Sequence, residues 1–167
     1  MILYHFTCVE YLPSIMANGL NRGDVPFDPN LPGRNGVWLT TGDTPVGHGL
    51  GQKGGSILTD PERAYFSRIN GHAIPPGARF PNKHAVRIKA MIPSSDRRLV
   101  PWWKWGRKHC QPDFFDALNA AAPNWRSAYI YWGVITPERF SEVSGQVGAR
   151  PGNIALNGSP LMMAGAR

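Results

Sequence analysis

Leu3-Tyr4-His5-Phe6-Thr7, followed by Glu10, Leu12, Ile15 and Gly19-Leu20, is the stretch on which the fold of this chain turns. It predicts a short strand ending in His-x-Thr, then a helix, then a glycine stop. Thr7 and Glu10 have the Thr-x-x-Glu spacing of a capping box, in which the hydroxyl accepts from the amide three residues on and the carboxylate reaches back to the cap amide. Strand would then give way to helix within two residues of His5. An imidazole at such a strand end can face a cleft, where its nitrogens bind a sugar hydroxyl or move a proton. The competing reading is a satisfied structural histidine, the commoner fate of a lone His among aromatics.

Outward from this stretch, Asn21 to Asn35 carries Pro26, Pro29 and Pro32 among Gly, Asp and Asn, which predicts an irregular loop. Gly36-Val37-Trp38-Leu39-Thr40-Thr41 is dense in β-branched and aromatic residues and reads as a strand. Gly42 to Gly55 is a glycine-rich, mobile segment, and Thr59-Asp60-Pro61-Glu62 is a second capping box opening a short helix with Ala64, Tyr65 and Ile69 on its apolar face. From Ala85 to Ile92, Val86, Ile88, Ala90 and Ile92 alternate with Arg87, Lys89 and Met91, giving one buried and one largely basic face. Pro112 to Ala122 fits a helix with Pro at its first turn and Phe114, Leu118 and Ala121 or Ala122 on one side. Ser127 to Val134 is an aromatic strand, Thr136-Pro137-Glu138 starts a helical turn, and Phe140 to Val143 adds a last short strand. Strands interspersed with short helices, without regular βαβ spacing, predict an α+β fold. One domain spans residues 1–143, and 144–167 form a Gly/Ala/Pro-rich tail that is poorly ordered or draped on the surface.

The 167 residues suffice for one domain with a sizeable core, and the hydrophobic share of 42% with 17% charged residues is that of a soluble globular protein. No run approaches a membrane span and the N-terminus lacks the layout of a signal peptide, so a cytoplasmic protein is the expectation. Cys8 and Cys110 have no CxxC spacing and no histidine pair in ligand register, which predicts reduced thiols and no metal. A formal charge of +7 favours an anionic partner: nucleotide, nucleic acid or acidic protein.

Several motifs bear on chemistry. Gly49-Leu50-Gly51-Gln52-Lys53-Gly54 matches GxGxxG in letters but lacks the preceding strand and following helix that would aim its amides at a pyrophosphate; Gly54 after Lys53 excludes a P-loop. His48 and Lys53 make this segment either a substrate lid or a plain surface loop. Arg97, Arg98, Trp102, Trp103, Lys104, Trp105, Arg107 and Lys108 form the densest aromatic and basic cluster. Exposed indoles there would stack bases while the cations hold phosphates, making these eight the candidate nucleic-acid contacts; alternatively the indoles plug a sheet edge. There is no G-x-S-x-G elbow, although Cys8 at a helix start could carry a lowered pKa.

Taken in order, Tyr4-His5-Phe6-Thr7, Leu12, Ile15, Gly19-Leu20, Arg34, Val37-Trp38-Leu39-Thr40, the strand Val86 to Ile92 and Tyr131-x-Gly133-Val134-Ile135-Thr136-Pro137-Glu138 resemble the ADP-ribosyltransferase superfamily. The resemblance is to its small bacterial and phage branches, including DarT-like DNA-modifying enzymes, and to the catalytic half of RNA 2'-phosphotransferases. It implies a split, mostly antiparallel sheet with short helices, whose cleft holds NAD. It also implies transfer of ADP-ribose to a DNA, RNA or nucleotide acceptor. By motif match His5 would bind the ribose next to nicotinamide, Phe6 and Thr7 would help position the cofactor, and Arg34, Trp38, Thr40 and Tyr65 would line the cleft. Tyr129 is a further cleft aromatic. The chain departs from the family pattern where the usual Glu would stand: it has Arg126, Ser127, Ala128 and Tyr129 there, with Glu138 and Glu142 later and Glu62 earlier. Glu142 is the acid that could replace it. Two alternatives stand beside the transferase: a catalytically divergent relative that binds a nucleotide or nucleic acid as an interaction or inhibitor protein, and an RNA 2'-phosphotransferase-like enzyme, whose separate N-terminal domain this chain lacks.

Overall fold

The structure, a computed structural model, describes residues 1–50, 55–70, 72–147 and 150–154. In chain order its elements are β1 (Ile2–Thr7), α1 (Leu12–Asn18), β2 (Asp24–Val25), β3 (Arg34–Asn35), β4 (Val37–Thr40), α2 (Asp60–Asn70), β5 (Val86–Met91), β6 (Leu99–Pro101), α3 (Trp102–His109), α4 (Pro112–Ala121), β7 (Ala128–Tyr131), β8 (Phe140–Val147) and β9 (Arg150–Ile154). Three 3-10 turns, at Val9–Tyr11, Trp125–Ser127 and Pro137–Arg139, connect them. The fold is α+β. Seven strands form one sheet in the order β6-β7-β4-β1-β5-β8-β9, every pairing antiparallel, and β2 and β3 form a separate small ribbon.

Strand alternation explains how the sheet divides its two faces. In β5, Val86, Ile88 and Ala90 are buried while Arg87 and Lys89 point the other way, as the sequence pattern requires. Their register partners on β1 are Thr7, His5 and Leu3, so those three share the buried face. Here α1 packs through Leu12 and Ile15, joined by Val37, Leu39, Tyr131 and Ile135 in the larger core. The opposite face of β4 and β7 carries Trp38 and Ile130, over which α3 and α4 lay Trp102, Trp105 and Phe115 in a second, aromatic core. Gly106 is where these helices touch: a Cβ there would lie 2.7 Å from Cδ2 of Phe115 and nearer still to Cε2.

Several expectations need correction. Thr7 does not cap α1: it is the last residue of β1, buried, and Cys8 to Tyr11 forms a 3-10 turn with no side-chain cap. Of the second capping box the carboxylate half forms: the Thr59 amide donates to Glu62 Oε2 at 2.9 Å, and the Thr59 hydroxyl donates to the same oxygen at 2.7 Å instead of accepting from an amide. On α4 the buried positions are Phe115 and Asn119, one residue on from the expected Phe114 and Leu118. The loop 21–35 holds the short β2–β3 ribbon. Strand pairing continues past residue 143, through β8 to Val147 and into β9; residues 155–167 lie outside the described part. Among the described residues no helix is long and apolar enough to cross a membrane, and no group of His, Cys, Asp and Glu could hold a metal ion.

Candidate functional site

The sheet is not uniformly joined. All six residues of β1 pair with β5, whereas between β1 and β4 only Tyr4 and Thr40 are in register. Backbone groups along such a gap need other partners. His5 supplies one: its Nδ1 lies 2.9 Å from the Trp38 carbonyl oxygen. Because a carbonyl only accepts, His5 is the Nδ1–H tautomer, and its Nε2 keeps the free lone pair. Burial holds the His5 pKa below its ordinary value against the Trp38 hydrogen bond, and the nearby Lys83 charge pushes the same way, so the ring is neutral at pH 7.

Around this gap opens a cleft of about 880 Å³, a size common for small-molecule sites. Its floor is formed by His5, Phe6 and Thr7 of β1 with Trp38, Leu39 and Thr40 of β4. Trp102, Asn119 and Trp125 close one side, and His48 reaches in from the segment after β4. The charged side chains on its walls are Arg22, Asp24 and Lys83. Two cations against one carboxylate, beside flat indoles and several hydroxyls, suit a ligand combining planar rings with anionic groups.

Thr40 links two elements. Its Oγ1 lies 2.8 Å from Ser127 Oγ and accepts from the Gly42 amide at 3.0 Å, while Ser127 Oγ donates to the Asn124 carbonyl at 2.7 Å. His48 Nε2 is 3.5 Å from the same Thr40 oxygen, and the His48 ring lies near parallel to Phe6. On the far wall, the Trp102 indole N–H donates to Asn119 Oδ1 at 2.9 Å within the core.

Comparison of the chain with protein-family models, with curated proteins and with solved structures found no match.

The structure therefore brings His5, Phe6, Thr7, Trp38, Thr40 and Trp102 together at one cleft and distributes the other sequence candidates elsewhere. Glu142 sits on β8, where Arg87 Nη2 donates to its Oε1 at 2.7 Å and holds its pKa below the ordinary value; it is not a cleft wall. Tyr129 packs against the larger core on the opposite face from Trp38. Arg34, on β3, lies over the rings of Phe27 and Trp105 at 5.1 and 5.9 Å to their centroids. Tyr65 is in α2, but its side chain lies outside the described residues, as does Lys53.

Of the basic aromatic cluster, Trp102 and Trp105 are buried at 3% and 8% exposure, leaving Trp103 as its exposed indole. Bases cannot stack on the two buried rings. Lys104, Arg107 and Lys108 are exposed on α3 and Arg97 is exposed before β6. Arg98 chelates Asp96 and lies over Tyr131, 4.9 Å from its centroid. Arg107 borders a second groove of about 630 Å³ with Asp116 and Arg126, and Asn119 and Trp125 are walls common to both depressions. Cys8 is fully buried, and burial with the Glu10 contact raises its pKa, opposite to the direction expected for a helix start. Lys83 and Asn119 carried no signal in the sequence: one stands in a turn and the other reads as an ordinary polar helix position.

Proposed function

We propose that this chain is an NAD-dependent ADP-ribosyltransferase-like enzyme, with the cleft between β1 and β4 receiving NAD and a nucleic acid or nucleotide as acceptor. One observation carries the reading: the sheet parts after a single β1–β4 pair, and His5, Thr7, Trp38 and Thr40 all line the cleft at that opening. The donor set fits such a ligand. His5 Nε2 and the Thr7 hydroxyl suit a ribose, the half-buried Trp38 and Trp125 indoles suit a planar ring, and Arg22 and Lys83 suit a pyrophosphate. NAD would supply the labile nicotinamide–ribose bond, whose cleavage releases ADP-ribose to the acceptor. The acceptor preference rests on the net charge of +7 and on the exposed Lys104, Arg107 and Lys108, which hold phosphates without sequence choice.

A second reading is favoured by a specific observation. Among the described residues Asp24 is the sole carboxylate on the cleft walls, and Glu142 is engaged with Arg87 elsewhere. Positive charge developing on a ribose would find little stabilisation from such a site, which suits a divergent relative that binds nucleotide without transferring it. Titration calorimetry with NAD on the wild type and His5→Ala, together with mass spectrometry of oligonucleotides incubated with NAD, tests both. NAD binding weakened at least tenfold in His5→Ala with a mass gain of ADP-ribose on the acceptor is the expected result. Binding without release of nicotinamide selects the second reading, and no NAD binding by the wild type overturns both.

A further inference from the structure

Ser127 stands just ahead of Ala128, the first residue of β7, and the groups tied to it form a directed chain. Ser127 Oγ spends its proton on the Asn124 carbonyl. In the Thr40–Ser127 contact the Thr40 hydroxyl must therefore donate. Thr40 Oγ1 then has no proton left for His48, so the 3.5 Å contact has His48 Nε2–H donating to it. That distance is at the long end of hydrogen-bond reach. The consequence is a fixed tautomer: Nδ1 carries the lone pair, and among the described residues it has no hydrogen-bond partner.

The segment holding His48 is itself anchored. Gly47 has φ +79°, a left-handed conformation, and its carbonyl accepts from the Asn124 amide at 2.8 Å while Asn124 Nδ2 donates to the Val46 carbonyl at 2.9 Å. The same residue, Asn124, thus ends the Ser127 chain and holds the backbone beside His48. Phe6 supports the ring from β1, and Thr40 and Gly42 bound it from β4 and the following turn. None of these neighbours is charged. Burial alone lowers its pKa, leaving it neutral at pH 7.

We infer that His48 is the proton acceptor of the transfer, with Thr40 and Ser127 as positioning residues that set its tautomer; the inference rests on the proposed function. The acceptor's N–H or O–H atom forms a bond to the ribose carbon as the bond to nicotinamide breaks. Nicotinamide leaves with that electron pair as a neutral molecule, and the acceptor's proton passes to His48 Nδ1. His48 later returns the proton to water. An oriented imidazole that burial keeps neutral contributes a proton-accepting lone pair.

The full chain labelled with 15N-histidine tests the orientation without any ligand. Nitrogen shifts at pH 7.5 are expected to show His48 protonated at Nε2 and bare at Nδ1. Ser127→Ala and Thr40→Val should mix the tautomers, and Thr40→Ser should restore the wild-type pattern. Protonation at Nδ1 in the wild type would overturn the inference. For the reaction, His48→Gln is expected to lower nicotinamide release with acceptor present by about 10²–10⁴-fold, while NAD affinity by calorimetry stays within threefold. The wild-type rate should rise with pH and level off at or below about 6.5, the ordinary histidine value. A His48→Gln rate within threefold of wild type, with NAD still bound, overturns the inference and leaves the proposed function standing. A wild type that binds no NAD removes the proposed function and the proton-transfer role together, whatever the tautomer.

Discussion

Gly106→Ala sets two effects of known size against each other. In a helix interior alanine is favoured over glycine by about 1 kcal/mol, and Gly106 lies within α3. Against this, the new methyl would stand 2.7 Å from Cδ2 of Phe115 and 3.2 Å from the Trp102 ring, inside the 3.5–4.0 Å of normal carbon contact. The Phe115 ring has no easy retreat, since Trp102 and Trp125 flank it with centroids at 5.6 and 5.8 Å. Overpacking of this kind costs about 1–3 kcal/mol, and a pinned ring places it in the upper part of that range. Net destabilisation of about 1–2 kcal/mol follows, a fall in Tm of roughly 2–8 °C for a chain of this size. Urea melts followed by circular dichroism measure it directly. In a double-mutant cycle with Phe115→Leu, the smaller side chain should relieve part of the Gly106→Ala cost, giving a favourable coupling energy. A Gly106→Ala protein as stable as wild type, or additive costs in the cycle, would refute the close α3–α4 approach.

Two further perturbations probe the packing around the cleft. Trp102→Phe removes the donor to Asn119 Oδ1 and leaves that acceptor unpaired in the core; together with the smaller ring, it should cost about 2–4 kcal/mol in urea melts, and a loss under 1 kcal/mol would count against the buried bond. Asp96 accepts from the Arg98 amide and guanidinium, from the Tyr131 hydroxyl and from Arg139, which hold its carboxyl well below the usual carboxylate range. Because the folded pKa is depressed, its stabilisation is fully present above about pH 4 and is lost as pH falls further: the gap in Tm between wild type and Asp96→Asn should be full at pH 7 and close below pH 4, and a gap independent of pH would refute the assignment.

What was legible in the sequence is what local pattern dictates. The alternation of Val86, Ile88 and Ala90 against Arg87 and Lys89 survives unchanged in β5, and Glu62 reaches the Thr59 amide because both partners lie within one turn. The same spacing at Thr7–Glu10 misled, since pairing of Thr7 with Val86 keeps Thr7 in the strand. α3 was hidden by composition: Trp102, Trp105 and Gly106 share a buried face at helical spacing, but the intervening Lys104 and the flanking Arg97, Arg98, Arg107 and Lys108 make the segment read as a nucleic-acid patch. Placement of site residues was least legible. Tyr129 and Trp38 sit on opposite faces because their strands pair in the register Leu39–Tyr129, and Glu142 meets Arg87 across strands distant in sequence. Register of that kind is fixed by long-range packing, which no local window contains.

The missing carboxylate and the histidine tautomers belong to one physical argument. A carboxylate at Ser127 would bring negative charge against Thr40, the neighbour of His48, and opposite charge raises the pKa of a neighbouring imidazole. Burial keeps both rings neutral, with His5 holding its N–H on the Trp38 carbonyl and His48 on the Thr40 hydroxyl, and among the described residues each keeps one lone pair without a hydrogen-bond partner. On the proposed reading such a cleft gains proton-accepting capacity and loses electrostatic stabilisation of a cationic transition state. On the same reading Arg22 and Lys83 would hold an anionic ligand equally before and after bond cleavage, and interactions equally strong in ground and transition states lower KM without raising kcat. Rate would then depend on how well an acceptor is oriented against the His48 lone pair, and so on the backbone of Val46 and Gly47 that Asn124 holds beside it.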